Sequence, residues 1–244
     1  MAMQATVTSG EHHPTAWYSQ MNSKEKAAFW AGIGGWILDA MDVQILSFVF
    51  PAIIAAFAIS NADAGLIGTA TLFSSAFGGW LAGILADRIG RVRTLQLTIL
   101  WFAVFTGLCG LAQNYGQLLT FRALMGFGFG GEWAAAAILI GEIIRPENRG
   151  KAVGTMQSGW AVGWGLAAIL ATLFFSIMPT EYAWRALFWV GVTPAILVLF
   201  IRRLVDEPAV YAETVKKLDG QGSRSSFLEI FSPEIIKTTI LSCL

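Results

Sequence analysis

Four ionisable residues lie inside long apolar stretches of this sequence, where a charge is costly. Asp39 and Asp42 fall three residues apart in the first apolar run, and Arg122 and Glu132 fall in the fourth. A charged side chain in the middle of a bilayer costs about 2.5–3.5 kcal/mol on insertion scales, so each of the four needs a pairing or a function. Buried carboxylates can carry protons, and a guanidinium can bind an acidic solute through two hydrogen bonds.

Helix geometry predicts which of these charges meet. With about 1.5 Å of rise per residue, Asp42 and Arg122 reach similar depths, roughly 21 and 22 Å from the cytoplasmic edge of the membrane. They are predicted to form an ion pair, which would offset the cost of burying both charges. By the same count Asp39 and Glu132 lie at different depths, and neither has a partner at its own level. Because a buried carboxylate without a cation binds a proton more readily, Asp39 is predicted to join Asp42 in proton coupling. The alternative is that all four residues only pair or hydrogen-bond within the bundle.

The elements that position these residues are apolar enough to cross a membrane. The 244 residues are 55% hydrophobic and 13% charged, with no net charge and a mean hydropathy of +0.61. This composition excludes a soluble domain and does not suggest nucleic-acid binding. Runs of about 20 apolar residues predict six transmembrane helices. They cover residues 28–57, 64–86, 94–112, 117–141, 152–178 and 186–204. Pro51 is expected to end or kink the first of them.

Basic residues mark one side of the predicted membrane. Of the 16 Lys and Arg residues, all but Arg122 and Arg185 lie in the N-terminal tail or in loops on one side. Because cytoplasmic loops carry the excess of basic residues, that side is predicted to be cytoplasmic, with the N-terminus inside. The protein is expected to be a multi-pass protein in the lipid bilayer of the cell inner (plasma) membrane.

Composition divides the chain into four parts. A cytoplasmic N-terminal tail (1–26) precedes a six-helix transmembrane bundle (27–205), and a polar cytoplasmic central loop (206–234) follows. Residues 235–244 are predicted to begin a truncated seventh helix, and the alternative is a short interfacial tail. His12, His13, Cys109 and Cys243 lack metal-ligand spacing, so no metal site and no cofactor are expected. The sequence contains no catalytic motif, and no enzyme is predicted.

Glycines and aromatic residues inside the predicted helices favour packing and a cavity. Residues 126–131 satisfy G-x-G-x-x-G, but the motif needs a preceding strand and lies here in a membrane helix, so nucleotide binding is rejected. The pairs Gly79/Gly83, Gly126/Gly130 and Gly159/Gly163 instead predict close helix packing. Gln157, Trp160 and Trp164 share one face of the fifth span and could line a polar cavity, although ordinary core or lipid-facing packing is an equal alternative.

Ordered motifs give the chain a resemblance to a known family. The short loop between the second and third spans matches G-x-x-x-D-[RK]-x-G-R-[RK]-[RK], except that Val92 stands where a base is usual. The matching residues are Gly83, Asp87, Arg88, Gly90, Arg91 and Arg93. Three further motifs follow: Arg122 with Gly126, Gly128 and Gly130; Glu142 with Arg149-Gly150-Lys151; and Glu207-Pro208 in degraded form. Over residues 27–210 the chain thus resembles the major facilitator superfamily.

This resemblance implies an all-α membrane protein of twelve helices, of which this chain is the N-terminal half, built as two inverted three-helix repeats. The C-terminal six-helix half is then an implied partner. In this family Asp87, Arg91 and Glu142 hold the cytoplasmic gate closed, and the motif residues Gly83, Arg88, Gly90, Arg93 and Arg149 belong to the same gate. Asp42 and Arg122 correspond to a proton-coupling pair.

The resemblance also suggests what is carried. Residues 39–42, 131–133 and 184–188 look most like the sialate and metabolite:proton symporters. The expected function is proton-coupled symport of a small organic acid, sialic acid-like or another carboxylate. The candidate substrate-binding residues are Arg122, Glu132, Gln157, Trp160 and Trp164. The alternatives are sugar uptake, proton-driven efflux of drugs or metabolites, and a six-helix scaffold or channel subunit.

Overall fold

The computed structural model describes residues 16–193 and 195, and all regular structure in them is helical. The helices are α1 (Ala16–Ser19), α2 (Ser23–Phe57), α3 (Asn61–Ile89), α4 (Arg91–Leu111), α5 (Tyr115–Ile143), α6 (Pro146–Ile177) and α7 (Thr180–Val190). Five of them, α2 to α6, are long and apolar enough to cross a membrane. The predicted sixth span (186–204) lies only partly within the described residues, and the central loop and the seventh helix lie outside them.

The first spanning helix begins earlier than predicted. α2 starts at Ser23, three residues before the expected end of the N-terminal tail at residue 26. The reason is a capping box: the Glu25 N–H donates to Asn22 Oδ1 (2.8 Å), and the Asn22 N–H donates to Glu25 Oε2 (2.7 Å). Polar residues therefore extend the helix beyond its apolar part.

Pro51 does not end α2, which continues to Phe57. A proline inside a membrane helix leaves one backbone carbonyl without its usual partner, and neighbouring elements can compensate for this loss. The helix ends where Ala58 adopts a left-handed conformation with φ 51°.

A single residue separates α3 from α4. Gly90 follows Ile89, the last residue of α3, and precedes Arg91, the first residue of α4. Its φ of 107° lies in the region that residues with a Cβ rarely adopt, so glycine is needed at this position of the motif. The Gly90 N–H donates to the carbonyl of Ala86 (3.2 Å) and closes α3.

Close helix contacts depend on small residues in the middle of the bundle. α5 packs against both α3 and α4, and α2 packs against α6. A Cβ at Gly130 would collide with the Ser75 carbonyl of α3, and one at Gly163 would collide with the Ile37 carbonyl of α2. Gly83 has no neighbouring atom within 4 Å of such a Cβ, so the predicted Gly79/Gly83 pair contributes to packing only through Gly79.

Candidate functional site

The predicted ion pair joins α2 and α5 in the interior of the bundle. Arg122 Nη1 lies 2.9 Å from Asp42 Oδ2, and the two residues are 1% and 0% exposed. Burial at this level removes both charges from water, so the direct hydrogen bond is needed to offset the cost. The depth count along the sequence placed these two residues correctly.

The pair leaves hydrogen-bonding capacity unused. Arg122 Nε and Nη2 and Asp42 Oδ1 are buried without a hydrogen-bond partner. The remaining contacts of the guanidinium are weaker: Nη1 also lies 3.3 Å from Met125 Sδ, and the group stands 4.6 Å from the ring centroid of Phe188. The guanidinium therefore keeps two nitrogens with which it could bind a second anion.

Asp39 and Glu132 come together, which the sequence analysis did not predict. The Glu132 carboxyl lies close enough to act electrostatically on Asp39, and both residues line one small cavity. The depth count was wrong here: it put the two carboxyl groups at different depths, whereas α2 and α5 bring them to the same cavity. Glu132 does not line the large cavity described next, so the structure places it with Asp39 rather than with the predicted substrate-binding residues.

A large aromatic cavity lies between α2, α3, α5 and α6. Its volume is about 680 Å³, and Trp80 and Trp133 are half exposed at its wall. The residues that line it include Trp36, Ser75, Trp80, Phe129, Trp133, Gln157 and Trp160. Trp36 is central to this wall: its ring centroid lies 5.8 Å from that of Trp133, in a stacked arrangement, and 5.4 Å from that of Trp160.

Two of the three predicted aromatic-face residues reach this cavity. Gln157 and Trp160 line it, whereas Trp164 is not among the lining residues and is 49% exposed. The i, i+7 spacing aligns residues along a helix, but Trp164 lies one turn beyond the cavity. Arg122 is also absent from the lining. The lining also includes Ser75, Trp80 and Phe129, which were not predicted because such residues carry no signal of their own in an apolar helix.

A separate network ties together one end of the bundle, which we call the basic end: the end where α2, α4 and α6 begin and α3 and α5 end. Arg91 lies 3.0 Å from Asp87 and 3.1 Å from Glu142, and it also donates to the Ala86 carbonyl (2.9 Å). These contacts connect the α3–α4 turn to the last turn of α5. The other motif residues, Gly83, Arg88, Gly90, Arg93 and Arg149, lie at this end too.

Glu25 adds a contact at the basic end that the sequence analysis did not identify. Its Oε1 lies 3.6 Å from Arg145 Nε, in the connection between α5 and α6. Glu25 thus caps α2 and pairs with a neighbouring connection. The N-x-x-E spacing of residues 22–25 was the signal that could have revealed the cap.

Known proteins resemble the chain over most of its length. It is 45% identical over 227 residues to a protein of Cupriavidus pinatubonensis named as a probable 4-methylmuconolactone transporter, and the alignment covers 93% of this chain and 52% of that protein. It is 32% identical over 217 residues to the sialic acid transporter NanX of Escherichia coli, covering 89% and 51%. The chain thus spans about half the length of these curated relatives.

A solved transporter structure has the same fold as the described helices. The structure of the proton:xylose symporter XylE superposes with a TM-score of 0.73 at 20% identity, covering 81% of this chain and 48% of that one. The described helices therefore share the fold of about half of that structure. The model of the Major Facilitator Superfamily matches residues 33–244. The chain belongs to the major facilitator superfamily, a family of membrane transporters and not of enzymes.

Proposed function

We propose that this chain is the N-terminal half of a secondary active transporter that imports a small organic acid together with protons. The observation that carries the proposal is the buried ion pair between Asp42 and Arg122, whose guanidinium keeps two unpartnered nitrogens. A proton on Asp42 removes the charge that holds Arg122. Arg122 is buried and is not part of the cavity wall in this state, so the substrate reaches it only when the two halves rock and open the pair. The guanidinium can then bind a carboxylate of the substrate through two parallel hydrogen bonds.

The lining of the large cavity is suited to a solute with a flat, largely apolar body. Its wall consists mainly of aromatic rings, and Ser75 and Gln157 supply the polar side chains other than indole N–H groups. A richly hydroxylated solute would leave many hydroxyl groups without partners against this wall, which costs about 1–3 kcal/mol for each buried group. Among the solutes for which the relatives are named, the wall therefore favours 4-methylmuconolactone over sialic acid.

The second half of the transporter supplies the opposite wall. The chain spans about half the length of its relatives, and the half-exposed Trp80 and Trp133 leave this side of the cavity uncovered. Alternating access then consists of rocking the two halves about the cavity. The Arg91 network holds the basic end closed in one state and separates in the other. The positive-inside rule favours a cytoplasmic location for this end, with the N-terminus inside, and supports the proposed location in the inner membrane.

Uptake by cells that express the full-length transporter tests the proposal. Radiolabelled 4-methylmuconolactone and sialic acid serve as probes, with and without a protonophore. We expect uptake of the lactone against its gradient, and we expect the protonophore to abolish it.

The Asp42→Asn variant tests the coupling step. It should lose accumulation but keep counterflow, because exchange of bound substrate does not need a proton to be released. Accumulation at the wild-type level by Asp42→Asn would disprove the assigned role. Asp63→Asn is the matched control, because Asp63 is a partly exposed carboxylate that caps the first turn of α3 and belongs to neither buried pair.

A further inference from the structure

We propose that Asp39 and Glu132 form a second proton-carrying group, a carboxyl pair that shares one proton within the bundle. This group is separate from the Asp42–Arg122 pair, because the two sites differ in their partners. The role in transport rests on the proposed function, whereas the shared proton itself does not.

The two carboxyl groups are enclosed and lack partners. Asp39 is 1% exposed and Glu132 is 2% exposed. Both oxygens of Asp39 and Oε2 of Glu132 are buried without a hydrogen-bond partner. Since Asp39 belongs to α2 and Glu132 to α5, packing of these two helices holds the two groups near each other.

Among the residues that the structure describes, no cation lies near enough to allow both groups to ionise. Asp42, one turn along α2, adds a further negative charge, and Arg122, ten residues from Glu132 on α5, is bound to Asp42. α4 contributes Leu95 and Ile99 to the cavity wall. The charged residues of α3, α4 and α6 lie in the first two turns or the last turn of those helices. In α7, Arg185 donates to the carbonyls of Gly110 and Ala112 at the opposite end.

Two adjacent carboxylates in such surroundings repel each other and are poorly solvated. An isolated charge transferred to a low-dielectric interior becomes neutral instead of remaining ionised. In a close carboxyl pair, one group therefore keeps a proton while the other can accept a hydrogen bond from it. One shared proton satisfies one oxygen of each residue.

The cavity between the groups offers a path for that proton. Its volume is about 10 Å³, which is close to the room that one water molecule needs. Asp39, Glu132, Trp36 and Trp133 all line it. Trp36 Nε1 is also a buried donor without a partner in the same region. A water at this position can take the proton from one carboxyl group and give one to the other, so that the number of atoms and the charge stay constant.

Trp36 and Trp133 also line the large cavity, and this connects the proton site to the substrate. The two indole rings stand between the small cavity and the large one, because both residues contribute to both walls. A substrate that displaces either ring changes the surroundings of the carboxyl pair. Release of the shared proton is then linked to the occupancy of the large cavity.

Infrared difference spectroscopy of the purified full-length transporter tests the shared proton without any substrate. At neutral pH the wild type should show the carbonyl stretch of a protonated carboxylic acid. The double variant Asp39→Asn/Glu132→Gln should lose this band, and each single variant should shift or abolish it. The Asp63→Asn control should keep it. A wild type without the band, or a band unchanged in the single and double variants, would overturn the proposal.

Transport in proteoliposomes tests the role of the pair, with protons and 4-methylmuconolactone as the measured solutes. The ratio of protons to lactone, obtained from the membrane potential at which net flux stops, should be lower by one in Asp39→Asn/Glu132→Gln than in the wild type. An unchanged ratio together with a lost infrared band would show a structural proton and overturn the coupling role. Absence of lactone transport in the wild type would contradict the proposed function, and the infrared result would still decide whether a proton is shared.

Discussion

Arg91 at the basic end and Arg122 in the middle of the bundle both bind carboxylates, but their surroundings differ. Arg91 has two carboxylate partners and a backbone carbonyl, and its Asp87 partner has a side chain that is 70% exposed. Arg122 has one carboxylate partner, and neither residue is more than 1% exposed. Water can replace the partners of Arg91 when the network separates, whereas only a proton or another anion can release Arg122.

The Arg91 network and the Asp42–Arg122 pair also differ in the free energy needed to separate them. Exposed ion pairs contribute about 0–1 kcal/mol. The side chains of the Arg91 network are between 13% and 70% exposed, so water reaches this network more readily than it reaches the buried pair. Removing one partner of a buried pair costs about 3–5 kcal/mol, because the other charge stays behind without compensation. The basic end is therefore suited to a contact that forms and breaks in every transport cycle. The middle of the bundle is suited to a charge state that changes only when a ligand or proton arrives.

The largest expected effect follows from removing the buried cation. Arg122→Met should lower the free energy of unfolding by about 3–5 kcal/mol and abolish uptake, because Asp42 is left as an unpaired buried charge. Thermal unfolding of the purified full-length transporter in detergent measures the first effect. The double variant Asp42→Asn/Arg122→Met should regain most of the stability without regaining transport. If Arg122→Met were as stable as the wild type, the two regions would not differ as described.

A packing change in the middle of the bundle should have an intermediate effect. Gly130→Ala places a methyl group against the Ser75 carbonyl of α3 and should destabilise the protein by about 1–3 kcal/mol. Gly141→Ala is the matched control near the basic end, where a Cβ meets no atom within 4 Å. Unfolding midpoints of the two variants, compared in the same detergent, check the prediction. Equal midpoints would show that the middle of the bundle is no more tightly packed than its end.

The smallest effect is expected at the basic end. Arg91→Gln should change the free energy of unfolding by about 1 kcal/mol or less, but it should loosen the α3–α4 turn. Hydrogen exchange of residues 86–94 should become faster, because the turn loses its links to Glu142 and to the Ala86 carbonyl. Lys151→Gln removes the same charge from an exposed position of α6 and should leave this exchange unchanged. Hydrogen exchange at the wild-type rate in Arg91→Gln would show that the Arg91 contacts do not hold the basic end together.

The sequence predicted the helices and one of the two buried contacts for a clear physical reason. Long apolar runs have few structural alternatives in a membrane, so the ends of the described spanning helices agree with the predicted spans within six residues. The Asp42–Arg122 pair was predictable because opposite charges at equal depth have a strong reason to meet. The Asp39–Glu132 contact was not predictable, because two carboxylates do not attract each other and their charges therefore gave no reason to pair them.

The cavity could be predicted only in part. Gln157 and Trp160 stood out because an amide and an indole are unusual neighbours in an apolar helix. The stacking of Trp36 on Trp133 depends on how α2 and α5 are rotated about their axes, and helical spacing within one element does not determine that rotation. The start of α2 at Ser23 was missed for a different reason: hydropathy ignores the polar cap of Asn22 and Glu25.

The one-residue connection at Gly90 leaves almost no slack in the backbone between two spanning helices. Any change in the tilt of α3 against α4 must therefore occur through the backbone torsions of this one glycine and its two neighbours. Gly90 is thus the hinge between these two helices. A reporter peptide inserted at Gly90 would separate α3 from α4. The α4–α5 connection, with three residues from Ala112 to Asn114, is the better place for such an insertion.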